Sequence, residues 1–400
     1  MLRRKLSIVV VLALAAVGTL GATRSAGAQT GDTKVVKIGV LAPLDAGLTE
    51  FGLGIRNSVQ LAVDEANEQE AIPGWEIELV AVDDSSDPAV GAANAPTLVG
   101  DPAVLGVVGT YNSGVAAAVQ EQFFAADLAL VSPSNTLSSL TLGADPADPV
   151  RPCTNYFRMV ASDAQQAPFL ARSVKKLGAK KVAVVSETKA VSKGLADAFA
   201  EAFEDGGGTV TAQEVVPDGA TDFSDFLEFA LPTKPDMIFF GGEYEVAAQL
   251  RIEAAASGYT KPLVGGDGIK DDAYIADAGP AAKGTLASTV GVPVDKLKSA
   301  RGFLAAYDDA GFAEGPSAYG PYAYDAANPI IAAAAQVLDG QESIPADARA
   351  SVVAAIQDTR AKGATGKVSF DEFGDTTHRV FTLYRVSGKK TALEFVPIKP

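Results

Sequence analysis

The chain has 400 residues, 48% of them hydrophobic and 20% charged, a balance typical of a folded protein rather than a disordered one. Because this length exceeds the size at which one hydrophobic core keeps growing, we expect two domains. The formal net charge of −16 argues against nucleic acid and anionic lipid as partners, since both bind through clustered Lys and Arg. The single cysteine, Cys153, excludes an intrachain disulfide, and the single histidine argues against a transition-metal site.

Residues 1–28 have the pattern of a secretory signal peptide. Arg3, Arg4 and Lys5 precede a largely apolar stretch over 6–22, and small residues follow as far as Ala28. The stretch is shorter than the roughly 20 residues that a retained membrane anchor needs. We therefore predict cleavage after Ala28, with no cysteine beside it for lipid attachment. A periplasmic or secreted protein without stable membrane insertion is expected.

The segment 34–131 alternates short strands rich in Val and Ile with longer stretches of helical period. The predicted strands are 34–41, 76–82, 104–108 and 128–131, and the predicted helices are 52–70, 88–99 and 113–126. Strands that alternate with helices of this length indicate a parallel sheet with helices on both faces.

The same pattern begins again near residue 163, which indicates a second lobe similar to the first. Predicted helices at 163–177, 193–204, 222–231 and 243–257 alternate with predicted strands at 181–185, 210–215, 237–240 and 263–264. A strand at 284–290 follows, then helices at 297–310, 318–338 and 346–360, and strands at 367–370, 380–386 and 393–396. We expect the late helices to complete the first lobe and the final strands to complete the second.

The predicted fold is therefore α/β, with two similar three-layer lobes around parallel central sheets, joined by a hinge of several chain crossings. Its predicted parts are a signal peptide at 1–28, lobe 1 at 34–155 plus 288–368, and lobe 2 at 156–287 plus 369–400.

Motifs for catalysis and cofactor binding are missing from the sequence. The first strand is not followed by G-x-G-x-x-G, and neither G-x-x-x-x-G-K-[ST] nor G-x-S-x-G occurs. The only histidine, His378, lies beside a terminal strand, where a solvated surface position is the simpler interpretation. We predict no catalytic residue, no metal site, no cofactor and no enzymatic activity.

Polar side chains follow the predicted strands at the edge where parallel sheets bind ligands. Short hydrogen-bond donors follow two strands of the first lobe, and acceptors or an aromatic group follow two strands of the second. The first-lobe set is Tyr111, Asn112, Ser113, Ser134, Asn135 and Thr136; the second-lobe set is Glu243, Tyr244 and Asp267. Each of them could instead cap a helix or bond its own turn. Together they predict a trap for a zwitterion, with donors on one lobe and acceptors on the other.

Motifs along the whole mature chain resemble those of the branched-chain amino acid (leucine/isoleucine/valine)-type periplasmic solute-binding proteins of ABC importers, which have the type 1 periplasmic binding protein fold. They are KIGVLAPL with Phe51-Gly52 after it, VDDSSDP, the GGE and GGDG turns, AYDA and GKVSFD. The order and spacing of the motifs carry the resemblance.

The resemblance implies that Ser113 and Thr136 hold a ligand carboxylate and that Asp267 holds its ammonium. It also shows departures: an aromatic position of the family is Glu243 here, with Tyr244 next to it, and a usual tyrosine in the second lobe is Val191 or Ser192. Phe51 is an aromatic without a hydroxyl near the first lobe's Y-G motif. The ligand side chain therefore stays open among aliphatic, larger, cationic and aromatic alternatives.

The expected function is capture of an amino acid or a similar small molecule between the lobes and its delivery to the permease of an ABC importer, by a monomer. A ligand-sensing module for a membrane receptor would use the same cleft and is the first alternative. An exported hydrolase is the second, and it would need a nucleophile and a base in the cleft.

Overall fold

The computed structural model describes residues 34–145, 148–291, 293–389 and 392–400. The predicted signal peptide lies outside the described residues. The strands are β1 Lys34–Ala42, β2 Trp75–Asp83, β3 Val104–Gly109, β4 Ala129–Ser132, β5 Tyr156–Arg158, β6 Lys181–Glu187, β7 Thr209–Val216, β8 Met237–Phe240, β9 Leu263–Gly265, β10 Leu286–Val290, β11 Arg360–Gly363, β12 Gly366–Ser369, β13 Phe381–Lys389 and β14 Ala392–Ile398.

The α-helices alternate with these strands over most of the chain. They are α1 Thr49–Glu68, α2 Pro88–Val99, α3 Ser113–Ala125, α4 Ser139–Leu142, α5 Asp163–Lys176, α6 Ala190–Asp205, α7 Ser224–Ala230, α8 Tyr244–Ala256, α9 Asp272–Ala278, α10 Ala300–Ala310, α11 Gly320–Leu338 and α12 Ala348–Gln357. The sequence does not predict α4, β5 and β11, which have three or four residues each, or α9, which has seven. Segments this short hold too few repeats of a hydrophobic pattern to show a period.

Two sheets form the centres of two lobes, as predicted. The first sheet has the order β2-β1-β3-β4-β5 with all strands parallel, and the second has the order β14-β13-β10-β9-β8-β6-β7. In the second sheet β13 and β14 are antiparallel to their neighbours, so this sheet is mixed rather than wholly parallel. The final strands thus add an antiparallel edge to a parallel sheet, a common arrangement in α/β folds.

Local sequence explains where several elements begin. Asp87 caps α2 because its carboxylate accepts from the backbone N–H of Ala89 at 2.7 Å, and Pro88 occupies the first helical turn. In α1, Phe51, Ile55 and Val59 recur one turn apart and are fully buried, which fixes the face of the helix that meets the core.

The late helices return to the first lobe, as the sequence predicts. Helix α11 packs against α1 and β3, and α12 packs against β3 and β4. Gly106 of β3 allows this approach, because a Cβ there would lie 2.5 Å from Cγ2 of Ile330 in α11.

Within the described residues, three segments cross between the lobes: β5 to α5, β10 to α10, and β12 to β13. Two of them are joined by a buried ion pair between Nε of Arg158 and Oδ1 of Asp375, 2.5 Å apart. Strand β5 belongs to the first sheet and ends at Arg158, three residues after the expected limit at 155. Strand β10 belongs to the second sheet and ends at Val290, three residues after the expected limit at 287. The lobe limits themselves stay a prediction.

Candidate functional site

A small cavity of about 40 Å³ lies between the lobes, at the carboxyl ends of their strands. A cavity of this volume holds a few water molecules. Seven of the ten residues predicted for the site line it: Tyr111, Asn112, Ser113, Ser134, Thr136, Glu243 and Asp267. The other lining residues are Val191, Leu195, Gly241, Gly242, Gly268 and Tyr319. The three remaining predicted residues, Phe51, Tyr244 and Asn135, lie behind this lining.

Ser113, the first residue of α3, lies where it can donate a hydrogen bond into the cavity. Its Oγ accepts from the backbone N–H groups of Thr136 at 3.2 Å and Leu137 at 3.3 Å. Among the described residues no acceptor contacts the hydroxyl, so its own hydrogen remains for a ligand. A hydroxyl held by two donors is well placed to donate to a carboxylate.

Ser134 and Asn135 hold the loop that carries Tyr111. The Ser134 hydroxyl donates to the Tyr111 carbonyl at 2.9 Å, and Nδ2 of Asn135 donates to the same carbonyl at 2.7 Å. Oδ1 of Asn135 accepts from the hydroxyl of Tyr156 at 2.8 Å. Asn135 therefore braces the first-lobe wall and does not face the cavity.

An aromatic cluster supports one end of the cavity. Phe51 stacks on Tyr111 with ring centroids 4.6 Å apart, and it meets the rings of Tyr244 and Tyr319 edge-on at 5.7 and 5.4 Å. Phe51 is fully buried, so its missing hydroxyl leaves no unsatisfied polar group there. Phe51 and Tyr244 position the tyrosines that line the cavity.

Asp267 faces the cavity from the second lobe with both carboxylate oxygens bonded. Oδ1 accepts from Nε2 of Gln166 at 2.7 Å, and the backbone N–H of Asp267 donates to Oε1 of the same Gln166 at 3.0 Å. Oδ2 accepts from the hydroxyl of Tyr319 at 2.5 Å. Burial raises the pKa of Asp267, while the bonds from Tyr319 and Gln166 oppose that rise.

Gln166 and Tyr319 are residues of the site that the sequence reasoning missed. Gln166 lies in α5 and Tyr319 directly before α11, far along the chain from the loops that follow the strands. No motif singles out either of them. Their roles follow only from the chain crossings that bring α5 and α11 to the cleft.

Glu243 lines the cavity as an acceptor, and both of its carboxylate oxygens are already bonded within the protein. Nδ2 of Asn112 donates to its Oε1 at 2.7 Å, and Nζ of Lys189 donates to its Oε2 at 3.2 Å. Lys189 lies 3.7 Å from Oε1 of the fully buried Glu187 as well. Burial raises the pKa of Glu243, and Lys189 opposes the rise.

Two glycines let the second-lobe backbone approach its neighbours closely. A Cβ at Gly241 would lie 2.1 Å from the carbonyl oxygen of Ser192, and a Cβ at Gly242 would lie 2.5 Å from Oε2 of Glu187. Any side chain at either position would displace the turn that carries Glu243.

Asp163 begins α5 behind Thr136, and its side chain is buried. Neither carboxylate oxygen has a hydrogen-bond partner among the described residues. Burial, with a further contribution from the negative charge of Asp267, raises the pKa of Asp163 to about 7.

Within the described ranges, no group of three or more His, Cys, Asp and Glu side chains could hold a metal ion. No helix in the same part of the chain combines the length and apolar character needed to cross a bilayer.

The sequence profile of the family described as periplasmic binding protein matches residues 35–391. The chain belongs to this family. It is 32% identical over 361 residues to the Leu/Ile/Val-binding protein BraC3 of Rhizobium johnstonii, an alignment that covers 90% of this chain and 94% of the relative. The family resemblance and the two-lobed fold predicted from the sequence are thereby confirmed, and the family places the protein outside the cytoplasm.

Solved structures show the same fold. The leucine-binding protein LivK of Thermotoga maritima has a TM-score of 0.78 and 26% identity, with 91% of this chain and 99% of that chain covered. The branched-chain amino acid transporter substrate-binding protein LivJ of Streptococcus pneumoniae, in complex with isoleucine, has a TM-score of 0.76 and 28% identity, with 91% and 100% covered. The family is one of substrate-binding proteins rather than enzymes.

Proposed function

We propose that this protein binds an α-amino acid in the cavity between its lobes and delivers it to the permease of an ABC importer. The observation that carries the proposal is the opposition of Ser113 and Asp267 around one cavity, a hydroxyl donor on one lobe and a carboxylate on the other. An α-amino acid carries the two complementary charges on groups attached to the same carbon atom. The names of the relatives, which bind leucine, isoleucine or valine, support this ligand class.

Binding proceeds in two steps in this proposal. In an open form the ligand carboxylate bonds to Ser113 and Thr136 of the first lobe. Closure then brings Asp267 onto the ammonium and expels water, which strengthens each polar contact in the cleft. The permease would recognise the closed pair of lobes.

The proposal includes a monomer that is cleaved after Ala28, leaves its ligand chemically unchanged and divides into the lobes 34–155 plus 288–368 and 156–287 plus 369–400. Mass analysis of the secreted protein tests the cleavage site, and light scattering tests the monomer. Recovery of the bound compound with its mass unchanged after prolonged incubation tests the absence of chemistry, because a hydrolase would convert it.

The identity of the ligand is tested by mass spectrometry of compounds released when the purified protein is denatured, followed by calorimetry with a panel of amino acids. We expect at least one α-amino acid to be released and to bind again. To measure the contributions of the ammonium and the carboxylate separately, the panel includes the matching amine, which lacks the carboxylate, and the matching carboxylic acid, which lacks the ammonium. If only compounds that lack the ammonium or the carboxylate bind, the proposed function is wrong.

A further inference from the structure

The polar atoms around the cleft that lack a partner are hydrogen-bond acceptors. Among the described residues, Oδ1 of Asn112 and Oε2 of Glu187 are buried without a donor. Asn112 lines the cavity and is nine-tenths buried, so water reaches its amide poorly. A buried acceptor without a donor is costly, and a ligand with N–H groups relieves that cost.

The charges at the same place are unequal as well. Glu187 and Glu243 supply two carboxylates, and the single ammonium of Lys189 lies 3.7 Å from one and 3.2 Å from the other. Asp267 is a third carboxylate, assigned to the ammonium of the ligand in the proposed function. Glu187 and Glu243 therefore share one ammonium, and one of their two negative charges has no counter-ion.

We infer that the ligand is an amino acid with a second, cationic nitrogen group in its side chain, which lies against Asn112 and Glu243. This inference rests on the proposed function and names the ligand class of the same site. The cationic group would donate to Oδ1 of Asn112 and to Glu243, while Asp267 holds the α-ammonium. An aliphatic side chain offers no donor there and would bury the unmatched charge.

Lys189 occupies the place of this cation in the ligand-free form. Its ammonium bonds to Glu243 from the rim of the cleft, and 38% of its side chain is exposed. Burial lowers the pKa of Lys189, but the negative charges of Glu243 and Glu187 together outweigh burial, so the pKa is raised. A long, partly exposed side chain moves aside readily, so the ligand's cation takes over a bond that Lys189 makes while the site is empty.

The inference is tested by calorimetry with lysine, arginine, glutamine and leucine on the wild-type protein and on three variants. We expect lysine or arginine to bind at least about tenfold more tightly than leucine. Glu243→Gln removes the charge and keeps the shape, and it should weaken the cationic ligand at least about tenfold more than it weakens leucine. Lys189→Gln removes the competing ammonium and should strengthen the cationic ligand several-fold.

Glu245→Gln is the matched control, because Glu245 is an exposed acid two residues along α8 and does not line the cavity. It should leave all four affinities within about twofold. Circular dichroism confirms that each variant is folded. Opposite effects of Glu243→Gln and Lys189→Gln support the inference.

Leucine or glutamine binding as tightly as the cationic amino acids would overturn the inference and leave the proposed function standing. Equal losses in Glu243→Gln and Glu245→Gln would overturn it too, since the effect would then be one of overall charge. If no amino acid of either kind binds, the proposed function fails with it.

Discussion

The two walls of the cleft differ in how their polar groups are engaged before a ligand arrives. On the first-lobe wall, Ser113 and Ser134 make their hydrogen bonds within their own lobe, and the Ser113 hydroxyl keeps its hydrogen for a ligand. On the second-lobe wall, Glu243 and Asp267 accept bonds that come from across the cleft, from Asn112 and Tyr319. The first-lobe wall therefore has a hydroxyl hydrogen available for a ligand, whereas the second-lobe carboxylates already accept hydrogen bonds that a ligand would have to replace.

This difference explains how the lobes stay together around so small a cavity. The bonds from Asn112 to Glu243 and from Tyr319 to Asp267 both join a first-lobe donor to a second-lobe carboxylate. A hydrogen bond to a charged group contributes about 1.5–3 kcal/mol. A ligand therefore stabilises the closed form only by the difference in free energy between its own hydrogen bonds and the bonds that it replaces.

The largest effect is expected at the second-lobe acid. Asp267→Asn removes the charge opposite the ligand ammonium, and we expect amino-acid binding to weaken by about 3 kcal/mol, more than a hundredfold in Kd by calorimetry. Asp271→Asn is the control, because Asp271 does not line the small cavity and its carboxylate accepts from the N–H of Ala273 at the start of α9, a cap that asparagine provides equally well. An unchanged affinity in Asp267→Asn would remove the second-lobe wall from the site.

The next largest effect is expected on the stability of the protein, from the buried carboxyl group of Asp163. Asp163 has a pKa of about 7 in the folded chain against 3.8 in the unfolded chain, so the folded state binds the extra proton between those values. Its contribution to stability is complete below pH 4 and is lost as the pH rises to 7. Asp163→Asn should therefore raise the free energy of unfolding at pH 8 by roughly 2 kcal/mol.

Urea unfolding of wild type and Asp163→Asn at pH 4, 6 and 8 measures this difference. It should grow across that range, whereas the exposed Asp309→Asn should give a difference near zero at every pH. A constant gain at all three values would mean that Asp163 is not protonated in the folded protein.

A smaller effect is expected on the first-lobe wall. Ser113→Ala removes the donor to the ligand carboxylate and leaves the N–H groups of Thr136 and Leu137 without their acceptor. We expect binding to weaken by roughly 1.5 kcal/mol, on the order of tenfold. The exposed Ser139→Ala is the control. A loss as large as that of Asp267→Asn would show that the two walls contribute equally.

The smallest effect on affinity is expected from loss of the hydrogen bond between Tyr319 and Asp267, which a ligand would replace. Tyr319→Phe keeps the ring packed on Phe51 and removes only the donor to Asp267. We expect the ligand-free protein to open, measured as a larger radius of gyration by X-ray scattering, while the Kd changes by only a few-fold. Tyr307→Phe, which loses a bond to the Glu314 carbonyl within the first lobe, should leave the radius unchanged. An unchanged radius in both variants would show that this bond does not hold the lobes together.

The sequence predicted which polar groups line the cleft better than it predicted their hydrogen-bond partners. It placed Ser113, Thr136 and Asp267 after strands whose carboxyl ends meet at one edge, and the structure brings these three together. It described Glu243 as an acceptor for a ligand, and the structure shows it bonded to Asn112 and Lys189. Residue type and spacing reveal which groups can bond, but partners 54 and 131 residues away are not visible in a local pattern.

The sequence by itself determined the two α/β lobes, because the spacing of hydrophobic residues along each segment shows whether it forms a strand or a helix. It also determined the family, through turns such as GGE and GGDG whose glycines a close backbone approach requires. Only the tertiary structure decided that Gln166 orients Asp267 and that Tyr319 reaches it from the other lobe. The physical reason is that the chain crosses between the lobes three times, and those crossings bring together side chains that no local rule connects.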